Sequence, residues 1–257
     1  MDGELKNLVK PKQNPPGQNP SSDGISNLDP SKKSMPRWVL AVKVVIFGIL
    51  LRVYDHTENL PRFVVLAIYC LHTYLEIELV LVFVGSTVSS FLGCEIEPVF
   101  NEPYLATSLQ DFWSRRWNLM VPAVLRPTVH VPVQRASVRV VGPMWSVLLG
   151  VVASFLVSGL MHELIYFYMI RLPPTWEVTL FFVLNGFCTA AEILVKRRVV
   201  RWRLHRSVSG PITLGFVSVT GVWLFFPQVL RNGLHDRVIN EWLWAIDLVK
   251  SKLFSSP

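Results

Sequence analysis

Four side chains step by four through one apolar stretch of the chain: Ser154, Ser158, His162 and Tyr166. On a helix of about 3.6 residues per turn they form one slowly drifting polar stripe. His162 is the member suited to proton transfer, because a neutral imidazole can take a proton from a hydroxyl near neutral pH. The adjacent Glu163 reads as a structural partner as readily as a second reactive group. Two other apolar stretches carry comparable sets: His72, Glu76 and Glu78 in one, and Asn185, Thr189 and Glu192 in the other. A charged side chain inside lipid costs a few kcal/mol, so such groups must face a protein interior or a wet cavity, and three polar stripes can enclose one cavity. The competing reading is structural, since an intramembrane Ser or Thr commonly bonds its own helix backbone and a lone His commonly bonds a neighbouring helix. No helix carries a His/carboxylate constellation of ligand type, so no metal is expected.

The elements that must position these groups are membrane spans. A bilayer core of about 30 Å needs roughly 20 apolar residues in a helix, and five stretches qualify: 38–54, 63–84, 144–170, 176–195 and 213–230. The first carries Lys43 and Arg52, and the fifth is interrupted by Gly221 and Pro227. Lys and Arg in alternate intervening segments total 17 against 6, which puts the N-terminal tail, the 85–143 segment and the basic stretch around Lys196, Arg197 and Arg198 on the cytosolic side. Within 85–143, Ser108 and Asp111 have the form of a capping box opening a helix over 107–121. Leu109, Phe112, Trp113, Trp117, Met120 and Val121 fall on one side of that helix, with Asp111, Ser114, Arg115 and Asn118 on the other. Its aromatic face is expected to lie in the membrane interface.

Composition agrees with this picture. The 257 residues are 51% hydrophobic and 17% charged, with a mean hydropathy of +0.39, far more apolar than a soluble domain. A formal charge of +7 belongs to cations flanking spans rather than to nucleic-acid binding. Residues 1–37, rich in Pro, Asn, Ser and Lys, read as a disordered basic cytosolic tail without a signal-peptide core; 38–233 form the transmembrane domain and 234–257 a C-terminal tail. Cys70, Cys94 and Cys188 have no paired spacing, so no disulfide framework is indicated.

The run from Phe100 to Asn118, reading FNEPYLATSLQDFWSRRWN, resembles the signature of plant wax synthases within the membrane-bound O-acyltransferase superfamily. The segment Ser158 to Leu164, reading SGLMHEL, is similar to the same family's histidine motif, and Pro173 to Val178 with Phe182 to Lys196 continue the likeness, which runs from about Pro36 to at least Gly233. The resemblance implies an all-α, polytopic transmembrane helical bundle of the membrane-bound O-acyltransferase type, multi-pass in the endoplasmic reticulum membrane. It implies His162 as catalytic histidine and Asn118 as a second catalytic position, orienting that histidine or donating to an oxyanion. It also implies that the block of Phe112, Trp113, Arg115, Arg116 and Trp117 binds acyl-CoA, the two arginines being suited to phosphates. The activity implied is O-acyl transfer from acyl-CoA as co-substrate, with no cofactor, to a long-chain fatty alcohol or, alternatively, a sterol. A non-enzymatic membrane protein, or an inactive truncated isoform, is the reading of another class. Family members of this kind carry further spans before the basic, proline-rich segment, so the chain reads as an N-terminally truncated form whose oligomeric state is open.

Overall fold

A computed structural model describes residues 37–54, 60–93, 98–198 and 205–254. These include little of the N-terminal tail, and the expectations for that tail and for Cys94 fall outside them. The described residues are predominantly helical, with no strand among them. This follows from the solvent: a backbone in hydrocarbon must satisfy its N–H and C=O groups internally, and an apolar single segment does so as a helix.

The helices in chain order are α1 (Arg37–Val53), α2 (Arg62–Leu92), α3 (Leu109–Asp111), α4 (Met120–Leu125), α5 (Val131–Ile170), α6 (Glu177–Arg198), α7 (Arg206–Thr220), α8 (Phe226–Arg231) and α9 (Leu234–Phe254). Three π-helical turns join them: Phe112–Arg116 after α3, Arg126–His130 between α4 and α5, and Gly221–Phe225 between α7 and α8. Four helical stretches are long and apolar enough to cross a membrane: Val64–Leu92, Met120–Ile170, Glu177–Arg198 and Arg206–Arg231. They match four of the five expected spans, and the fifth expectation, 38–54, is α1, a helix of 17 residues.

The longest of these stretches is not a straight rod. At Gly142 the backbone takes φ 81° and ψ 168°, a conformation open to glycine for want of a Cβ, and Pro143 follows. A Cβ built on Gly150 would lie 2.7 Å from His130 Nδ1 and 2.9 Å from its carbonyl oxygen. Those residues are 20 apart in sequence, and unbroken helix would separate them by about 30 Å. The chain therefore folds back at Gly142 into a helical hairpin that closes on Gly150.

The second arm of the hairpin packs on α6 through small residues. A Cβ on Gly159 would come within 2.9 Å of Thr179 Cα, and one on Gly186 within 2.8 Å of Phe155 Cβ; such glycines allow the close backbone approach that drives helix association in lipid. Tyr166, Val178, Phe181, Phe182 and Leu224 form the core where α5, α6 and the third π-turn meet. A separate core of Phe47, Leu50, Leu51, Leu75 and Ile239 joins α1, α2 and α9.

The C-terminal segment expected to be a tail is thus largely the helix α9, packed on α1 and α2 through Ile239 and Trp242. The polar groups of the second span serve this core. Lys43 Nζ lies 2.6 Å from Glu78 Oε1 and 3.2 Å from Tyr74 Oη, and Trp242 Nε1 donates to Glu76 Oε1 at 3.0 Å. His72 is fully buried against the rings of Phe47 and Tyr54.

Candidate active site

Between the hairpin arms, α2, α6, α7 and the 109–118 segment lies a cavity of about 910 Å³. Its walls are mainly apolar and aromatic, including Phe112, Trp113, Phe155, Phe182 and Phe225. One side of the hairpin contributes Val121, Pro122 and His130, the other Val151, Ser154, Ser158 and His162. The third-span stripe therefore faces the cavity along three of its four members, while Tyr166 is buried in the α5–α6 core. Of the other two stripes only Thr189 lines the cavity; His72, Glu76 and Glu78 act between helices, so one cavity is not enclosed by three stripes.

His162 is half-buried, its ring 4.5 Å from that of Phe182 and 5.8 Å from that of Phe225. Its Nδ1 lies 2.7 Å from the Ser158 carbonyl oxygen. A carbonyl only accepts, so Nδ1 carries the proton and Nε2 keeps its lone pair in the neutral ring. Among the described residues Nε2 has no hydrogen-bond partner. The neighbouring Glu163 points elsewhere: it is buried, and its Oε1 accepts from the Thr179 N–H at 3.2 Å in the first turn of α6. There a carboxylate satisfies an orphan donor and complements the helix dipole, which makes Glu163 a helix cap.

Asn118 lies on the same cavity. The helical run that begins at Leu109 ends before it, because Trp117 is extended (φ −89°, ψ 121°). Asn118 itself is left-handed with φ 44°, a conformation that asparagine tolerates better than most residues. The break is pinned from outside: Leu119 N–H donates to Val99 O at 2.7 Å, and Asn101 N–H to Arg116 O at 2.9 Å. The side-chain amide of Asn118 makes no hydrogen bond with another described residue and is available to the cavity.

The aromatic block is placed differently from the expectation. Trp113 packs on Phe155, Phe181 and Phe182, and its Nε1 donates to Asn185 Oδ1 at 3.3 Å. Trp117 stacks on Phe112 and meets Phe100 edge-on. The tryptophan face is turned into the protein, and the helix is shorter than 107–121. Phe112, Trp113, Arg115, Trp117 and Asn118 all line the cavity. Arg116 is not among the lining residues; its Nε bonds Asp111 Oδ2 at 2.7 Å and its Nη1 reaches the carbonyls of Asn101 and Glu102 at 3.3 Å. Arg126 and Arg197 line the cavity as well as Arg115, and sequence reasoning missed both, since basic residues near span ends carry no signal that separates a ligand contact from topology. Tyr104 also lines it, and burial together with the Glu102 carboxylate pushes its phenol up.

Residues 96–184, which include both His162 and Asn118, match the model of the membrane-bound O-acyl transferase family. The chain is 66% identical over 239 residues, 93% of its own length, to the probable long-chain-alcohol O-fatty-acyltransferase 1 of Arabidopsis thaliana, of which it covers 69%. It is 57% identical to the probable long-chain-alcohol O-fatty-acyltransferase 2 and 48% identical to number 3 of the same plant, covering 67% and 68% of them. No solved structure matches. With identity of this order along nearly its whole length, and with the family's matched region forming much of the cavity wall, the chain belongs to the membrane-bound O-acyltransferase family.

Proposed function

We propose that the protein transfers a fatty acyl group from acyl-CoA to the hydroxyl of a long-chain alcohol, making a wax ester. The observation that carries this reading is the meeting of His162 and Asn118 on one aromatic-walled cavity, with the histidine's Nδ1 already committed to Ser158. The relatives' names, which specify long-chain-alcohol O-fatty-acyltransferases, support the substrate class.

In this mechanism Nε2 of His162 accepts the alcohol proton as the alcohol oxygen attacks the thioester carbonyl. The carbonyl oxygen becomes an oxyanion, to which the Asn118 amide donates a hydrogen bond. Collapse breaks the C–S bond, and the leaving thiolate takes the proton back from His162, giving ester and free CoA. The apolar walls exclude water, which would otherwise compete as nucleophile. Arg115, Arg126 and Arg197, which line the cavity, would meet the phosphates of CoA. The membrane is that of the endoplasmic reticulum, with the basic connections toward the cytosol that supplies acyl-CoA.

The test is to give membranes bearing the protein labelled acyl-CoA with either a fatty alcohol or a sterol. Labelled wax ester is expected, and its loss in His162→Ala. Steryl ester alone would replace the acceptor, and no ester from inserted protein with either acceptor would overturn the proposal.

A further inference from the structure

We infer that Glu192 is a positioning residue for the reaction, holding Asn118 in place through a cap supplied from another helix. A helix start leaves its first N–H groups without partners. At the 109–116 segment a local side chain satisfies one: Ser108 Oγ accepts from the Asp111 N–H at 3.1 Å. The two before it are taken from 82 and 83 residues away, since Glu192 Oε2 accepts from the Leu109 N–H at 2.7 Å and Oε1 from the Gln110 N–H at 3.3 Å. The two kinds of cap do different things. A local cap fixes the shape of the helix start, whereas a cap from α6 fixes where the helix sits.

A second tie reinforces the first. Asn185, fully buried two turns before Glu192 on α6, receives Trp113 Nε1 and spends its own Nδ2 on the Phe181 carbonyl at 3.0 Å. The segment is thus docked on α6 at two points, and the chain leaves it at Trp117 directly into the left-handed Asn118. Since α6 is also clasped to the His162-bearing arm of α5 at Gly159 and Gly186, one helix holds both reacting side chains in a common frame. Lys196, which pairs with Glu192 Oε1 at 2.7 Å from an exposed position, is not part of that frame, and such exposed pairs contribute little.

The inference rests on the reading of Asn118 as a group that touches the reacting atoms, and a double-mutant cycle separates the two. Glu192→Ala should lower kcat about 10- to 100-fold, the scale of a displacement near 1 Å at a catalytic group, and raise KM for acyl-CoA by a smaller factor, because Arg115 rides on the same segment. Glu192→Gln, which keeps a carbonyl oxygen for the Leu109 N–H, should recover most of the rate, and Lys196→Ala should behave as wild type. Combined with Asn118→Ala, either Glu192 variant should add no further loss, because its effect passes through the missing amide. Losses that multiply, or a normal kcat in Glu192→Ala, would overturn the inference and leave the Asn118 reading standing. Full turnover in Asn118→Ala would remove both. Should Glu192→Ala fail to accumulate, the cycle is read with Glu192→Gln, whose smaller loss must likewise vanish in the Asn118→Ala background.

Discussion

An imidazole is oriented as a base when one nitrogen is held as a donor and the other is left free, and on an apolar helix the nearest holder is the carbonyl one turn back. His162 uses that of Ser158, so its one hydrogen bond among the described residues lies within its own helix. Removing the ring orphans nothing, because the Ser158 carbonyl keeps its place in the helix ladder. His162→Ala should therefore lower the rate by about 10² to 10⁴, the usual contribution of a general base, while the protein accumulates and melts nearly as wild type. Glu163→Ala should do the reverse. It strips the half-buried Thr179 N–H of its acceptor, at a cost of about 1–3 kcal/mol, so thermal stability in detergent falls while turnover per folded molecule holds. A Glu163 variant that is stable but inactive would exchange the two roles. Sequence alone left these neighbours open, because adjacent residues on a helix point about 100° apart and nothing in the letters says which direction holds the cavity. The polar stripe over Ser154, Ser158 and His162 was legible, and so was α6 as a span; that α6 covers Glu163 was not.

At the scale of elements, the cavity is built where helices are interrupted. All three π-turns contribute to its wall, through Trp113, His130 and Phe225 among others, in keeping with the concentration of such turns at functional sites. Periodicity showed the aromatic face of the 109–117 region correctly and its neighbour wrongly: a 3.6-residue pattern states which side chains share a face, and an aromatic interior reads the same as lipid. The fold-back at Gly142 was hidden by the same uniformity, since both arms are apolar and the signal is a single Gly-Pro pair. Gly150 gives a test of the hairpin. Gly150→Ala places a methyl against the backbone oxygen of His130, so the arms must part and the melting temperature should drop. Gly215→Ala, in α7 with nothing within 4 Å of its Cβ, should be neutral or stabilise by about 0.5–1 kcal/mol, as expected inside a helix. Equal melting of the two variants would mean that the hairpin does not close at Gly150.

For the whole molecule, composition already indicated a multi-pass bundle, and four of the expected spans are helices long and apolar enough for the role. The helix α9 escaped because it is too polar to span, and its inward residues Ile239, Trp242 and Leu243 make sense only once α1 and α2 are in place to receive them. The orientation expected across the membrane rests on charge. The segments carrying 17 of the flanking cations include those that supply Arg115, Arg126 and Arg197 to the cavity, so a single bias would account for both the expected topology and the side from which a polyanionic co-substrate would approach. His162 lies 18 residues beyond Met144, whose Sδ receives Arg197, and that length of helix is about 27 Å, most of the thickness of a bilayer core. An acyl-CoA with its phosphates at Arg197 would thus extend its thioester arm inward toward the histidine. Glycosylation acceptors inserted between α6 and α7 should stay unmodified in microsomes, and the same acceptors on an extended loop between α5 and α6 should be modified. The opposite pattern would place the arginines on the lumenal side, out of reach of cytosolic acyl-CoA, and would require another entry route to the cavity.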